Sequence, residues 1–325
     1  MKRSSFLRAA AALALAPAAA PALVRAQGTY PDRQIRMVIP FAAGGTTDLM
    51  ARAVGQHFAQ AWGQPVVADN RAGANGVVAG EIVAKAPGDG YTLSVVAMGH
   101  AINPLIYRKL PYDGVNDFTP ISLLATFPQL VLVHPSVKAN TLPELIQLAK
   151  TASPPLTYAS GGNGSSQHLA GALFAHMAKL NLTHVAYKGG NPAQLDLMAG
   201  NVNMMITQPN SKELITTGKM RALAVSSSRR SQYYPELPTV AEAGVPGYES
   251  VAWYGLLGPK GMPPDVVKKI ADETVRACAG EGARSIVAGQ GGDMVAGTPA
   301  QFAEFIAAER KRYEAIVREA NMTVD

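Results

Sequence analysis

A single cysteine, Cys278, stands in this 325-residue chain. One thiol makes no internal disulfide, so a disulfide-stapled scaffold is excluded and stability must come from a packed core. Aromatic residues are scarce at 6%, and no basic run longer than the three residues Arg310-Lys311-Arg312 occurs in the body of the chain. Nucleic-acid binding is therefore not expected, because its stacking platforms and basic stripe are missing. The 6 histidines include no H-x-x-x-H pair, and there is no cysteine cluster to join them in a metal site. No cofactor fingerprint stands out: the glycine turn near residue 44 lacks both the Gly-Lys-Ser/Thr of a nucleotide loop and the G-x-G-x-x-G pattern.

Long apolar runs are also missing, apart from the Ala/Leu stretch Ala9 to Leu23. Lys2, Arg3 and Arg8 precede it, Pro17 and Pro21 interrupt it, and Val24-Arg25-Ala26 closes it. That is the order of an export signal, and it falls short of the roughly 20 uninterrupted apolar residues of a spanning helix. Residues 1–26 are expected to be cleaved, leaving Gln27 first and the mature chain in the periplasm. Ser4 stands where a twin-arginine signal needs its second arginine, which favours general secretion. With no cysteine at the cleavage point, a lipid anchor there is not expected. Loss of Lys2, Arg3, Arg8 and Arg25 takes Lys+Arg from 29 to 25 against 23 Asp+Glu, so the formal charge falls from +6 to +2.

Short β-branched runs alternate with amphipathic stretches, which reads as βαβ units with mostly parallel sheets. Strands are expected at Ile35 to Ile39, Val66 to Ala68, Leu93 to Val96, Leu130 to Val133, Leu182 to Val185, Met204 to Ile206, Ala222 to Val225 and Trp253 to Leu257. Helices are expected at Asp48 to Trp62, Gly76 to Lys85, Leu142 to Lys150, His168 to Leu180, Pro192 to Ala199, Ser211 to Thr217, Pro264 to Cys278, Glu281 to Gly289 and Pro299 to Ala320. No flexible linker separates independent beads, so two α/β lobes joined by short crossings are expected. Residues 27–124 plus 251–325 form the first lobe and 125–250 the second, with crossings near Ser122 to Thr126 and Tyr248 to Ala252.

Two segments carry the chemistry. Val38 to Asp48 runs from a strand through Gly44-Gly45 into a helix, and Tyr158 to His168 repeats the plan with Gly161-Gly162 and Gly164. The first four amides of a helix have no intrahelical partner and carry about half a positive charge, so each start suits a carboxylate. The glycines equally suit a plain turn with Thr46 or Thr47 as cap. Asp48 fits a dipole-stabilising cap better than a ligand contact, and His168 a packed or capping histidine better than a base. Ser165 or Ser166 with His168 lacks the G-x-S-x-G elbow of a hydrolase, so no enzyme is expected. If the two starts belong to different lobes, they face across a cleft and can hold a dicarboxylate by both ends.

Further segments appear in a distinctive order: Tyr30-Pro31, Gly63-Gln64-Pro65 through Arg71, Asp89-Gly90-Tyr91-Thr92-Leu93, His100 to Pro104, Leu110-Pro111-Tyr112-Asp113, Ala186-Tyr187-Lys188-Gly189, Gly218 to Val225 and Pro238 to Gly244. Together with the two turns, they resemble the Bug-type receptors of tripartite tricarboxylate transporters over nearly the whole mature chain. The resemblance implies a two-lobed, type II periplasmic-binding fold that closes over a small organic carboxylate and hands it to membrane transporter subunits, and such closure predicts function as a monomer. It places Phe41, Ala42, Gly44, Thr46, Thr47 and Asp48 on one wall and Ser160, Gly161, Asn163, Ser165, Ser166 and His168 on the other. His100 and Ala101 are expected to border the same cleft.

Thr207 departs from the family, many members of which have aspartate there. With only Thr207 and Gln208 as neutral partners, a ligand ammonium would lack its counter-charge, so a carboxylate without an amino group is favoured. Thr207 bonded to its own backbone is an equal alternative. Lys188 and Arg71 sit beside turns and are left out of the site, and Trp253 and Tyr254 read as core before pocket. A sensor that docks on a membrane signalling protein needs the same closure and remains the alternative to uptake.

Overall fold

The computed structural model describes residues 30–208, 212–319 and 322. The expected signal with its cleavage point at Ala26, and the expected helix limits Ser211 and Ala320, lie outside the described residues. The chain begins as a parallel unit. β1 (Ile35–Ile39) leads through α1 (Thr46–Trp62) to β2 (Val66–Asn70), and α2 (Val77–Ala84) leads to β3 (Thr92–Ala97). β1 pairs in parallel with both β2 and β3. Met50, Val54 and Phe58 recur every fourth residue along α1 and pack onto this sheet, and left-handed Gly63 ends the helix.

α3 (Gly99–Ile106) and β4 (Phe118–Pro128) follow, and the sequence pattern announces neither. Pro104 lies inside α3, and Pro120 and Pro128 punctuate β4. Residues Ser122 to Thr126, expected as a crossing, are instead the middle of this 11-residue strand. A strand with prolines is tolerated at an edge, where no ladder amide is required. On its outer side β4 forms ladder pairs at Ala125 and Thr126, and the carbonyls of Leu123 and Leu124 accept amides from residues 295–297.

The second sheet uses β5 (Leu130–Val133), α4 (Leu142–Thr151), β6 (Thr157–Ser160), α5 (Ser166–Ala178), β7 (Thr183–Ala186), α6 (Gly190–Ala199), β8 (Met204–Thr207), a single-turn α7 (Glu213–Thr216) and β9 (Arg221–Val225). The chain then returns as β10 (Val251–Pro259) and finishes with α8 (Pro264–Ala279), α9 (Glu281–Gly289), β11 (Asp293–Met294) and α10 (Pro299–Glu319). α10 buries Phe302, Ile306, Glu309, Tyr313 and Ile316, a stripe of alternating four- and three-residue steps.

Strand order is β2-β1-β3-β10-β4-β11 in one sheet and β7-β6-β8-β5-β9 in the other. Both follow one plan: a parallel triplet, then an antiparallel strand just after a crossing, then a further strand. β10 runs antiparallel to β3 and β4, and β5 antiparallel to β8 and β9. The protein is thus a two-lobed α/β fold. β1 and β6 hold equivalent central places, so α1 and α5 start where strand order reverses, the place where open α/β sheets bind ligands. Tyr248, in the segment that leads back to β10, is anchored to α5. Its hydroxyl donates to the Ala170 carbonyl at 3.1 Å, within a core that also holds Trp253 and Tyr313.

Candidate functional site

The turn after β1 is organised by Asp48. Its carboxylate accepts the Gly44 amide at 2.9 Å, Asn70 Nδ2 at 3.0 Å and Arg52 Nε at 3.0 Å, while Asn70 also reaches the Phe41 carbonyl at 2.9 Å. Burial pushes the Asp48 carboxyl up, but the bonds from Arg52, Gly44 and Asn70 outweigh it and hold the group down to about 2. A carboxylate so occupied and so firmly ionised would repel an anion, so Asp48 shapes the loop and does not line the cleft. Gly44 takes a φ of 85°, in the left-handed region. Gly45 occupies the cap position of α1 and no side chain caps the helix, so the first-turn amides remain open to a ligand. Thr46 donates its hydroxyl to Gln290 Oε1 at 2.6 Å, and Thr47 is buried beside it.

The turn after β6 is built differently. Ser165 caps α5, its hydroxyl accepting the His168 amide at 3.3 Å. His168 Nδ1 in turn accepts the Gly164 amide at 3.1 Å, which assigns the ring proton to Nε2. The ring stacks on His184 at 3.9 Å, and burial, with His184 alongside, pushes His168 down to about 4. Ser160 is fully buried, bonded to His184 Nε2 at 2.7 Å and to the Gly162 backbone. Ser160 and His168 therefore hold the loop in place. Ser166 and Gln167 present the remaining first-turn positions.

The two turns meet at a cavity of about 270 Å³. Phe41, Thr46 and Thr47 line it from the first turn, Ser165, Ser166 and Gln167 from the second, and Trp253 and Tyr254 of β10 from between them. Asn75 completes the rim; its Nδ2 donates across the lobes to the Gly164 carbonyl at 3.2 Å and to Asn103 Oδ1 at 3.2 Å. No lysine or arginine is among the lining residues, so attraction for an anion here would have to come from backbone dipoles.

Of the residues expected at the site, Phe41, Thr46, Thr47, Ser165 and Ser166 come together here. Ala42, Gly44 and Asn163 are exposed on the same loops but do not line the cavity, and Gly161 packs against the Gly189-Gly190 backbone. His100 lies in an adjoining crevice with Pro40 and Tyr112, which shares Phe41, Asn75, Ala97 and Gly99 with the cavity, and Ala101 is wholly buried in the core. Neither lines the cavity itself: of α3 only its first residue, Gly99, does so. Thr207 is buried, accepting Gln167 Nε2 at 3.4 Å and donating to the neighbouring Gln208 carbonyl at 3.3 Å. Gln208 lines a 480 Å³ cavity with Lys212, Tyr233 and Gln290, the residue that accepts the Thr46 hydroxyl. Arg71 pairs with Asp69 at 2.8 Å, and neither it nor Lys188 lines the cleft. Sequence reasoning misses Asn75, Gln167, Met98 and Gly99, and ranks Tyr254 as core. The Asn75-Gly76 pair is the available signal, a turn dipeptide that here places Asn75 at φ 51°.

No group of three or more His, Cys, Asp or Glu among the described residues could hold a metal, and no described helix is long and apolar enough to cross a membrane. Residues 50–322 match the tripartite tricarboxylate transporter family receptor. BugT of Bordetella pertussis is 36% identical over 298 residues, 90% of each chain. Rpa4515 of R. palustris, solved with adipate, superposes with a TM-score of 0.78 at 35% identity, covering 90% of this chain and 99% of its own. MatC of Rhodopseudomonas palustris, solved with bound malate, gives a TM-score of 0.74 at 32% identity, covering 89% of this chain and 100% of its own. This chain belongs to the tripartite tricarboxylate transporter receptor family, whose members are periplasmic solute-binding receptors rather than enzymes.

Proposed function

We propose that the protein captures a small organic carboxylate between the starts of α1 and α5 and delivers it, as a monomer, to the membrane subunits of a tripartite transporter. One observation carries this reading: two helix starts, one from each lobe, converge on a single cavity that has no side-chain cation of its own. Such a site favours negative charge through unpaired amides, and a volume of about 270 Å³ suits a ligand of few carbon atoms. The adipate of Rpa4515 and the malate of MatC, bound by relatives of this length and fold, support the same class.

In this reading residues 1–26 are a signal removed on export. The lobes exchange chain at Gln129 and again between Ser226 and Val251. β4 and β10 remain paired as far as Pro128 against Val251, which supports moving the first crossing from Leu124 to Gln129. The Gln129 amide donates to Ser226 Oγ at 2.8 Å and the Ser226 amide to the Gln129 carbonyl at 2.8 Å, so the crossings are stitched side by side.

The test is a thermal-shift screen of Gln27–Asp325 against mono-, di- and tricarboxylates, amino acids and sugars. A ligand at a hundredfold excess over its Kd should stabilise the fold by about 2.7 kcal/mol. A selective response to one acid class supports the reading; a response to amines or sugars with silence from every acid rejects it.

A further inference from the structure

Two buried polar atoms at the crossing have no partner among the described residues: Gln129 Oε1 and Gln208 Nε2. Gln129 is only 1% exposed. Its Nε2 lies 3.5 Å from the hydroxyl of Ser166, a lining residue at the start of α5, so the side chain points towards the ligand end of that helix. Gln208 follows Thr207 at the end of β8. The last rung of the β5–β8 ladder is Leu130 against Thr207, and the antiparallel register carried one residue further sets Gln129 opposite Gln208. Gln129, which reaches Ser166 of the 270 Å³ cavity, thus faces Gln208, which lines the 480 Å³ cavity. Buried polar atoms are satisfied in the great majority of cases, and leaving them open costs stability.

We infer that Gln129 and Gln208 are the specificity-determining pair of the site, selecting carboxylates that carry a hydroxyl group over the same acids without one. This rests on the carboxylate reading above. A hydroxyl donates to Gln129 Oε1 and accepts from Gln208 Nε2 at once, as a methylene cannot. Turning the Gln129 amide over exchanges its donor and acceptor, and a hydroxyl satisfies that arrangement as well. The neutral character of both amides also fits Thr207, since no side-chain charge here would favour an ammonium. Discrimination arises because an acid lacking the hydroxyl leaves both amides unpaired in a closed site.

The experiment is isothermal titration of the mature protein with two matched pairs, malate against succinate and citrate against tricarballylate, with adipate as a further unsubstituted acid. At least one hydroxylated acid should bind about tenfold or more tightly than its unsubstituted partner. Gln129→Met, which keeps the volume and removes the amide, should erase most of that preference. Gln208→Met should do the same, and serves in its place if the Gln129 variant fails to fold. Equal affinities within both pairs, or a preference that survives both substitutions, overturns the assignment. Binding of adipate or succinate without any hydroxyl preference would leave the carboxylate reading standing while removing this one. Failure of every acid to bind removes both.

Discussion

Replacing Asp48 by asparagine keeps the shape of the side chain and takes away its charge, which separates two roles that the sequence left open. In the structure the carboxylate gathers the Gly44 amide, Asn70 and Arg52, and it sits at about 2 against an ordinary 3.8. At 1.36 kcal/mol per unit, that difference corresponds to just over 2 kcal/mol; the exposed loop around it admits solvent screening, which trims the figure to about 1–2 kcal/mol. The folded-state value lies below the unfolded one, so this stability is fully present above about pH 4 and drains away as pH falls towards 2. Urea denaturation of wild type and Asp48→Asn should therefore differ by about 1–2 kcal/mol from pH 8 to pH 5, and the gap should close at acid pH. Carboxylate affinity should change by no more than about threefold, because the removed charge repels an anion as much as it orders the loop. A variant of wild-type stability that has lost binding tenfold or more would refute the argument and return Asp48 to the ligand.

Ser165→Asp should preserve stability, since aspartate is an equally good helix cap, yet lower carboxylate affinity at least tenfold by placing a fixed anion at the start of α5; titration beside Ser165→Ala, which should cost about 1 kcal/mol of stability, separates the two effects. Glu309 lies beneath the cleft, accepting Trp253 Nε1 at 3.2 Å and Arg312 Nη1 at 2.6 Å, while Arg312 also holds Glu249 at 2.9 Å. Burial pushes Glu309 up to about 7 in spite of Arg312 and the Trp253 bond, so its stability contribution is full below its unfolded value of 4.5 and is lost as pH rises through about 7. His100 and His168 act with the opposite slope, so the readout is wild type minus Glu309→Gln, which should fall by about 3 kcal/mol between pH 4.5 and pH 8; a flat difference rejects the burial argument. Burial pushes the Cys278 thiol up to about 12, so the native protein should resist thiol reagents at pH 8 until it unfolds, and rapid native labelling would contradict the packing around it.

The alternation of Ile35–Ile39, Leu130–Val133 and Met204–Thr207 with amphipathic stretches made the α/β plan readable, because buried strands leave short, mostly apolar runs. β4 and α3 escaped because proline punctuates both, and only the neighbouring β10 and the core beneath α3 override that local signal. The two glycine turns were legible as anion-ready helix starts, since that property belongs to the local backbone. Which of their polar side chains reach the cavity was not. Asp48, Ser160 and His168 satisfy amides and rings within their own lobe, whereas Asn75 and Tyr254 arrive from distant segments that only the closed fold brings together.

β3 is completed on one side by β1 and on the other by β10, which begins at Val251, about 150 residues further along the chain. A chain emerging amino end first must therefore carry β3, with Leu93, Val95 and Val96, as an open edge while the whole second sheet is still being made. In that interval the apolar edge is open to pairing with another chain, and a chain stopped short of residue 251 lacks the strand that would cover it.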